Sequence, residues 1–288
     1  MEISSAPFLL ASQNPDGGWG YAPGDASTVE ATAAVVMASQ GDPTLSGARG
    51  AALRWLRGAQ HRDGGWGLQA GDDQSGWQTA WSVLALHKSG GDEDAVARAI
   101  GWLLAVDTLK LDEDAMQKTD RVLGLDFSLR GWPWLPNQAA WIEPTAFALL
   151  ALATAPATTE LTRRVEEGVT YLVQRRCLGG GWSVGNPLML GQALPARAHP
   201  TAWALLALAR MAPGRILPED LSALRSEMDS DSGAPALALG ALALHASGKD
   251  TAGPLLRLQE IQQPDGSWDG NPFHTALAVL ALASGAGL

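Results

Sequence analysis

The chain has little of what nucleic-acid binding, membrane insertion or disulfide bonding requires. Its 20 Lys and Arg face 30 Asp and Glu, and the net charge of −10 disfavours nucleic acid and anionic lipid surfaces as partners. A single cysteine, Cys177, excludes an intramolecular disulfide and a Cys-rich zinc cluster. No uncharged apolar stretch approaches the roughly 18 residues of a transmembrane helix. The opening MEISSAPFLLAS lacks the basic start and the long apolar run of a signal peptide. We therefore expect a cytoplasmic protein.

Glycine and tryptophan are plentiful, and they recur in one motif. Four segments share a Gln, a short spacer, a Gly, any residue and a Trp, and a fifth, RGWPW, keeps only the Gly and the Trp. We expect the Gln side chain to bond backbone groups at the start of the next helix while the indole packs on it. The motif is thus predicted to join successive helix pairs. The four complete copies cover residues 13–19, 60–66, 174–182 and 263–268.

Two kinds of helix alternate between these motifs. One kind is rich in Ala and Leu and apolar nearly all round, as in PTAWALLALA, which is typical of a helix buried on every side. The other carries charges on one face and apolar residues at helical spacing on the other. The six buried helices are predicted to begin near Val29, Trp77, Ile142, Ala198, Gly233 and Pro272, and the six amphipathic ones near Ile3, Thr44, Glu93, Thr158, Leu217 and Thr251.

The alternation fits either an open solenoid or a closed barrel. Open arrays usually end in repeats with a polar outer face, whereas this sequence finishes on a helix of the buried kind, FHTALAVLALASGAGL. We therefore predict an all-α fold, a single closed (α/α)6 toroid of six inner and six outer helices. It is expected to form one domain over residues 1–288, with an insertion at about 107–141.

The repeated motifs resemble those of a known superfamily. QNPDGGWG, QHRDGGWG, QRRCLGGGW and QQPDGSW are similar to the QW motifs of squalene-hopene and oxidosqualene cyclases. TAWSVLAL and PTAWALLALA resemble the inner helices of those cyclases and of protein prenyltransferase β subunits. The resemblance covers the whole chain. It implies a toroid whose inner helix ends surround an apolar cavity that receives an isoprenoid or terpenoid ligand.

The resemblance also implies a chemistry. In such cyclases a carboxylic acid of an Asp-x-Asp-Asp motif protonates an alkene or epoxide, and the carbocation is then guided past aromatic faces. Burial in an apolar site keeps a carboxyl group protonated, and π faces stabilise positive charge without reacting. The prenyltransferases instead hold zinc through an Asp-x-Cys pair and a His.

Acidic residues at the starts of the buried helices are the catalytic candidates. The cyclase register Asp-x-Asp-Asp-Thr-Ala falls on TVEATA, where only the middle acid remains, as Glu30. The equivalent position is occupied by Glu143 in WIEPTA and by His199 in AHPTA. We expect Gln78 and His274 to face the same opening of the toroid. Glu143 or Glu30 is the predicted proton donor, with His199 as its partner. The alternative is that both glutamates favour the positive end of a helix.

Aromatic residues are the expected lining of the cavity. The long insertion is a candidate functional loop, because long loops on a rigid scaffold often carry function. Its three tryptophans either cap the cavity or pack the incomplete motif, and its acidic clusters, residues 112–114 and 120, are better explained as a solvated surface. The predicted substrate-binding residues are Trp77, Gln78, Trp81, Trp132, Trp134, Trp141, Trp203, Phe273 and His274.

No metal or other cofactor is predicted, since Asp-x-Cys does not occur in the sequence, and Mg²⁺ is expected only if the substrate is a diphosphate. A zinc site built from His199, His274 and Glu143 is the alternative.

The predicted function is protonation-initiated, class II-like cyclisation of a polyprenyl or triterpenoid substrate by a non-standard acid. A non-catalytic lipid-binding or scaffold protein of the same fold is the alternative. A carbohydrate-active toroid with paired carboxylates is a third reading. A homo-oligomer or a second subunit that completes the site stays open.

Overall fold

The chain is mostly α-helical, as the sequence predicts. A computed structural model describes residues 3–109 and 126–283, together with residues 114, 116 and 118. The helices of this part are α1 (Ala6–Ala11), α2 (Val29–Ala38), α3 (Ser46–Gly58), α4 (Gln78–Lys88), α5 (Glu93–Ala105), α6 (Ile142–Leu152), α7 (Thr159–Gln174), α8 (Ala198–Met211), α9 (Pro218–Ser230), α10 (Ala234–Ala246), α11 (Ala252–Glu260) and α12 (Pro272–Leu282).

Short hairpins and 3₁₀ turns interrupt the helices. The strands pair antiparallel, with Trp132 opposite Trp141 in the first hairpin. The strands are β1 (Trp132–Pro133), β2 (Ala140–Trp141), β3 (Leu188–Met189) and β4 (Gln192–Ala193), and the 3₁₀ turns are Pro43–Leu45 and Pro213–Arg215.

The even-numbered helices are the inner ones. In α2 every residue from Val29 to Met37 is buried, and in α8 burial is continuous from Pro200 to Leu208. Their many alanines let neighbouring backbones approach closely. The odd-numbered helices bury one stripe only; in α7 the buried Leu161, Arg164 and Gly168 follow the spacing of a helix face.

Each inner helix packs against the inner helices before and after it. The order is α2, α4, α6, α8, α10 and α12, and α12 also packs against α2. Outer helices lie on the inner helices, as α3 does on α2 and α11 on α10. The loop between α11 and α12 contacts the start of the described chain, since Gln262 Nε2 donates a hydrogen bond of 2.9 Å to Ile3 O.

Tryptophan makes two hydrogen bonds in each copy of the Gly-Trp motif. For Trp66, the indole Nε1 donates to Leu56 O in α3 at 2.7 Å, and the backbone N donates to Thr79 Oγ1 in α4 at 2.9 Å. Each motif therefore ties an outer helix to the inner helix that follows it. The same two bonds are made by Trp19, Trp132, Trp182 and Trp268.

The glutamine of the motif reaches the next outer helix. Gln60 Nε2 donates to Gly64 O and to Ala95 O, both at 2.9 Å, and Ala95 lies in the first turn of α5. Gly64 has a φ of +94°, and a Cβ there would lie 2.7 Å from Arg98 O, so the turn requires glycine.

In two copies of the motif, a residue other than the predicted glutamine makes these contacts. In the fourth, Gln262 rather than Gln263 bonds Gly266 O and reaches the next element. In the third, Arg176 takes the place of the glutamine, donating to Asp220 Oδ1 and to Arg215 O. The contact with the next outer helix requires a hydrogen-bond donor at a fixed sequence separation from the tryptophan. Arg176 and Gln262 both lie at this separation.

Candidate functional site

The first turns of the inner helices form the rim where the candidate residues lie. Because inner and outer helices alternate, the inner helices run in one direction and their N-termini lie at the same end. The Trp-to-Thr hydrogen bonds fix which positions correspond. Two residues before each threonine lie Glu30, Trp77, Glu143, His199 and Phe273. Gln78 and His274, placed in this column from the sequence, lie one residue further along their helices.

Glu30 occupies the first turn of α2, which Thr28 caps by accepting a hydrogen bond from Ala31 N. The side chain is buried, with 9% of the residue exposed, and Tyr21 Oη donates a hydrogen bond to Glu30 Oε2. Burial raises the pKa of Glu30 to about 7; the Tyr21 hydrogen bond opposes this shift, and the charge of Glu143 adds to it. Near neutral pH this carboxyl group is therefore partly protonated.

Glu143 lies in the first turn of α6, between Trp141 and Pro144. Burial raises its pKa to about 7. The charge of Glu143 raises the pKa of Glu30, although α4 packs between the helices α2 and α6 that carry the two residues. The charge of Glu143 thus adds to the effect of burial on the pKa of Glu30.

His199 and His274 form a second group on the rim. Burial lowers the pKa of His199, Asp231 raises it and His274 lowers it. His274 Nδ1 lies 2.8 Å from Asp269 Oδ2. In the described part of the chain, no hydrogen bond or ion pair joins His199 to either glutamate.

An aromatic cluster fills the centre below the rim. Trp81 packs edge-on against Phe147, Trp203 and Phe273, with ring centroids 5.6, 5.4 and 5.5 Å apart. The cluster reaches the hydrogen-bond partner of Glu30, because the ring centroids of Tyr21 and Phe273 are 6.0 Å apart. Four inner helices, α4, α6, α8 and α12, supply these rings.

The rim and the cluster have the residue types that carbocation chemistry needs. A buried carboxyl group with a raised pKa can hold a proton at neutral pH, and aromatic faces attract positive charge. Sequence analysis missed Tyr21 and Phe147. Phe147 has a sequence signal, since it lies two residues after Thr145 as Trp81 lies after Thr79.

Comparison with known proteins identifies relatives of the fold. No family model matches the chain, and no curated protein does. The apo structure of the type II terpene cyclase MstE from Scytonema matches with 18% identity over 96% of this chain and 96% of that chain, at a TM-score of 0.61. The fold is terpene cyclase-like.

Other solved structures share the architecture. A novel alpha-amylase from Clostridium perfringens matches with 9% identity over 96% of this chain and 95% of that chain, at a TM-score of 0.65. A protein from Actinoplanes matches with 16% identity over 97% and 98% of the two chains, at a TM-score of 0.61. At these identities the likeness concerns the fold, which hosts more than one function.

Three other predicted substrate-binding tryptophans lie outside the central cluster or at its edge. Trp134 contacts Trp77 at 5.2 Å. Trp132 lies in the incomplete Gly-Trp motif, with the Arg164 guanidinium 3.5 Å from its ring centroid. Trp141 borders a separate cavity. Of the insertion's tryptophans, only Trp134 therefore contacts the aromatic residues of the inner helices.

Polar atoms without partners mark the start of α4. Gln78 Oε1, Trp81 Nε1 and Ser82 Oγ are buried, and none has a hydrogen-bond partner within the described part of the chain. Native proteins leave few buried polar groups unsatisfied, and these often have a role.

The zinc alternative does not form. Among the described residues, no group of three His, Cys, Asp or Glu side chains is placed to hold a metal ion. Across the same residues, the helices are too short or too polar for any of them to span a bilayer.

Proposed function

We propose that the protein is an isoprenoid cyclase in which protonated Glu30 starts the reaction. One observation carries the proposal: a buried carboxyl group, oriented by Tyr21, lies beside an aromatic cluster of the inner helices. The terpene cyclase-like fold supports it, as does the position of Glu30 in the register of the cyclase acid motif.

Tyr21, Glu30 and Glu143 have different roles in the proposed reaction. Tyr21 holds Oε2 of Glu30, which leaves Oε1 to carry the proton. Burial keeps that proton bound up to about neutral pH, and the charge of Glu143, once Glu143 is ionised, adds to this effect. The proton passes to one carbon of a substrate double bond, Glu30 becomes a carboxylate and the cation forms on the neighbouring carbon. Successive double bonds then close rings, and a proton leaves the last cation, so no metal ion is needed. A diphosphate substrate would bring Mg²⁺ with it.

We also propose that the helices close into an (α/α)6 toroid and that the protein is cytoplasmic. The contact of α12 with α2 and the hydrogen bond from Gln262 to Ile3 support closure. A closed ring positions all inner N-termini around one opening, which is where the acid is needed.

A non-catalytic isoprenoid-binding or scaffold protein is the second candidate. It is favoured by the packing of Trp81, Phe147 and Trp203, which are only 1%, 4% and 3% exposed and contact one another. The protein's own side chains thus fill the space between these described inner helices. A cyclase has to move these rings when a substrate enters.

Product analysis separates the two functions. The purified protein is incubated with squalene, farnesyl diphosphate or geranylgeranyl diphosphate, with and without Mg²⁺, and the organic extract is analysed by mass spectrometry. Glu30→Gln is compared with Glu93→Gln, an exposed acid in the first turn of the outer helix α5. A cyclised product from wild type and Glu93→Gln, absent with Glu30→Gln, supports the cyclase. Unchanged substrates and a co-purifying host lipid support the binding protein.

A further inference from the structure

A cavity lies beside Trp141, directly before α6, and neither Glu30 nor Glu143 is among its described lining residues. It has a volume of about 290 Å³ and lies between the end of α7, the β3–β4 hairpin and the described parts of the insertion. This volume is at the small end of the range for ligand sites, about 300–1,000 Å³. Its walls are largely apolar and include Leu109, Leu129, Trp141, Val184, Met189 and Leu194.

Among the described lining residues of this cavity, one side chain is charged. Arg175 is only 3% exposed, and its guanidinium carbon lies 5.0 Å from the ring centroids of both Phe127 and Tyr171. Nη1 donates a hydrogen bond of 2.8 Å to Gln174 Oε1. Nε is buried and has no hydrogen-bond partner among the residues that the structure describes.

A guanidinium in this setting lacks its usual counter-ion. Buried arginines are normally paired with a carboxylate, because an isolated charge in an apolar site loses its hydration without compensation. No ion pair joins Arg175 to an acidic residue within the part of the chain that the structure describes. Buried Arg164 and partly exposed Arg176, in contrast, are paired with Glu167 and Asp220.

We propose that this cavity binds a small amphiphile with an anionic headgroup, a carboxylate or a phosphate. The headgroup pairs with Arg175, and the apolar body packs against Leu129, Trp141 and Val184. A planar guanidinium suits both headgroups, since it offers parallel N–H donors to two oxygens. This site is separate from Glu30, so its occupancy does not depend on the cyclase proposal.

Calorimetric titration with three ten-carbon probes tests the site. Decanoate and decyl phosphate carry the two headgroups, and decanol is the neutral control. We expect at least one anion to bind wild type about tenfold or more tightly than decanol, as expected for a hydrogen bond to a charged group. The ratio of the two anion affinities identifies the headgroup. Equal binding of all three probes would overturn the proposal.

Two variants locate the binding. In Arg175→Met the preference for anions over decanol disappears, and a preference that survives would place the anion elsewhere. Val184 is 49% exposed on the cavity wall, so Val184→Trp fills the cavity without entering the core. It weakens binding of every probe that wild type binds, and unchanged affinities would overturn the proposal.

Thermal unfolding without ligand tests whether the role of Arg175 is purely structural. Methionine keeps the apolar stem and removes an unpaired charge, so the Tm of Arg175→Met is expected to equal or exceed that of wild type. A decrease of more than about 5 °C would show that the guanidinium holds the fold together and would contradict a ligand-binding role.

Discussion

Tyr21 donates a hydrogen bond to Oε2 of Glu30, and so links the loop after the first Gly-Trp motif to the first turn of α2. Two neighbours act on this carboxyl group in opposite directions. The Tyr21 hydrogen bond lowers the pKa of Glu30, whereas the charge of Glu143 raises it. Substitution of either neighbour therefore gives a pKa shift of known sign.

Tyr21→Phe is expected to move the pH dependence of product formation upward. The variant loses the hydrogen bond that favours the carboxylate, so Glu30 stays protonated to a higher pH than its wild-type pKa of about 7. Rates measured across pH locate the midpoint. Tyr171→Phe, which removes the hydrogen bond to Ala140 O, is the matched control and keeps the wild-type midpoint. A downward shift in Tyr21→Phe would be inconsistent with this role.

Glu143→Gln is expected to move the midpoint downward. Without the negative charge of Glu143, Glu30 ionises at lower pH, so product formation falls at neutral pH and recovers on acidification. The same pH–rate measurement checks it. A variant that forms no product at any pH would instead identify Glu143 as the proton donor.

Glu30→Gln is expected to stabilise the fold at high pH only. The folded pKa of about 7 lies above the ordinary glutamate pKa of 4.5, so the charged form is disfavoured by folding. The stability contributed by the neutral carboxyl group is complete below about pH 4.5 and is lost as pH rises through about 7. A neutral amide avoids this loss, which is on the order of 3 kcal/mol.

Urea unfolding at about pH 5 and about pH 8 measures the difference. Glu30→Gln is more stable than wild type at the higher pH and close to wild type at the lower one. Glu93→Gln, the exposed control, differs little from wild type at either pH. The same stability difference for Glu30→Gln at both pH values would mean that Glu30 does not titrate in this range.

Thr79→Val tests the Gly-Trp motif as a structural connection. Valine has nearly the shape of threonine but leaves the buried Trp66 N–H without its acceptor. The expected loss of unfolding free energy is about 1–3 kcal/mol. Thr170→Val, on the exposed face of α7, changes the same atoms without this loss. Equal stability of the two variants would show that the hydrogen bond to Trp66 is dispensable.

The helices could be predicted from sequence because their apolar periodicity is strong, but the register at the rim could not. Trp and Thr of a motif are 13 residues apart in three copies, and 19 and 7 apart in the other two. Gln78 is misplaced although its copy has the common spacing of 13 residues, whereas for His274 the shorter spacing of 7 hides the correspondence. The hydrogen bonds reveal it only after folding.

The candidate acids could be found, because Glu30 and Glu143 occupy the column of the cyclase motif. Tyr21 could not, since its contact with Glu30 depends on the path of a loop. Arg175 is hidden for a similar reason, because a missing counter-ion is a property of the folded chain. Of the acidic clusters at 112–114 and 120, only Asp114 lies within the described residues.

Deuterium incorporation tests the role of Glu30 most directly. The substrate that wild type converts is incubated in D₂O, where the Glu30 carboxyl group carries deuterium by exchange with solvent. Each cyclised product molecule is expected to contain one deuterium, because a deuteron starts the reaction and a substrate proton leaves at its end. Glu30→Gln is expected to form no product, while Glu93→Gln forms the deuterated one. A product without deuterium, or an active Glu30→Gln, would contradict initiation by Glu30.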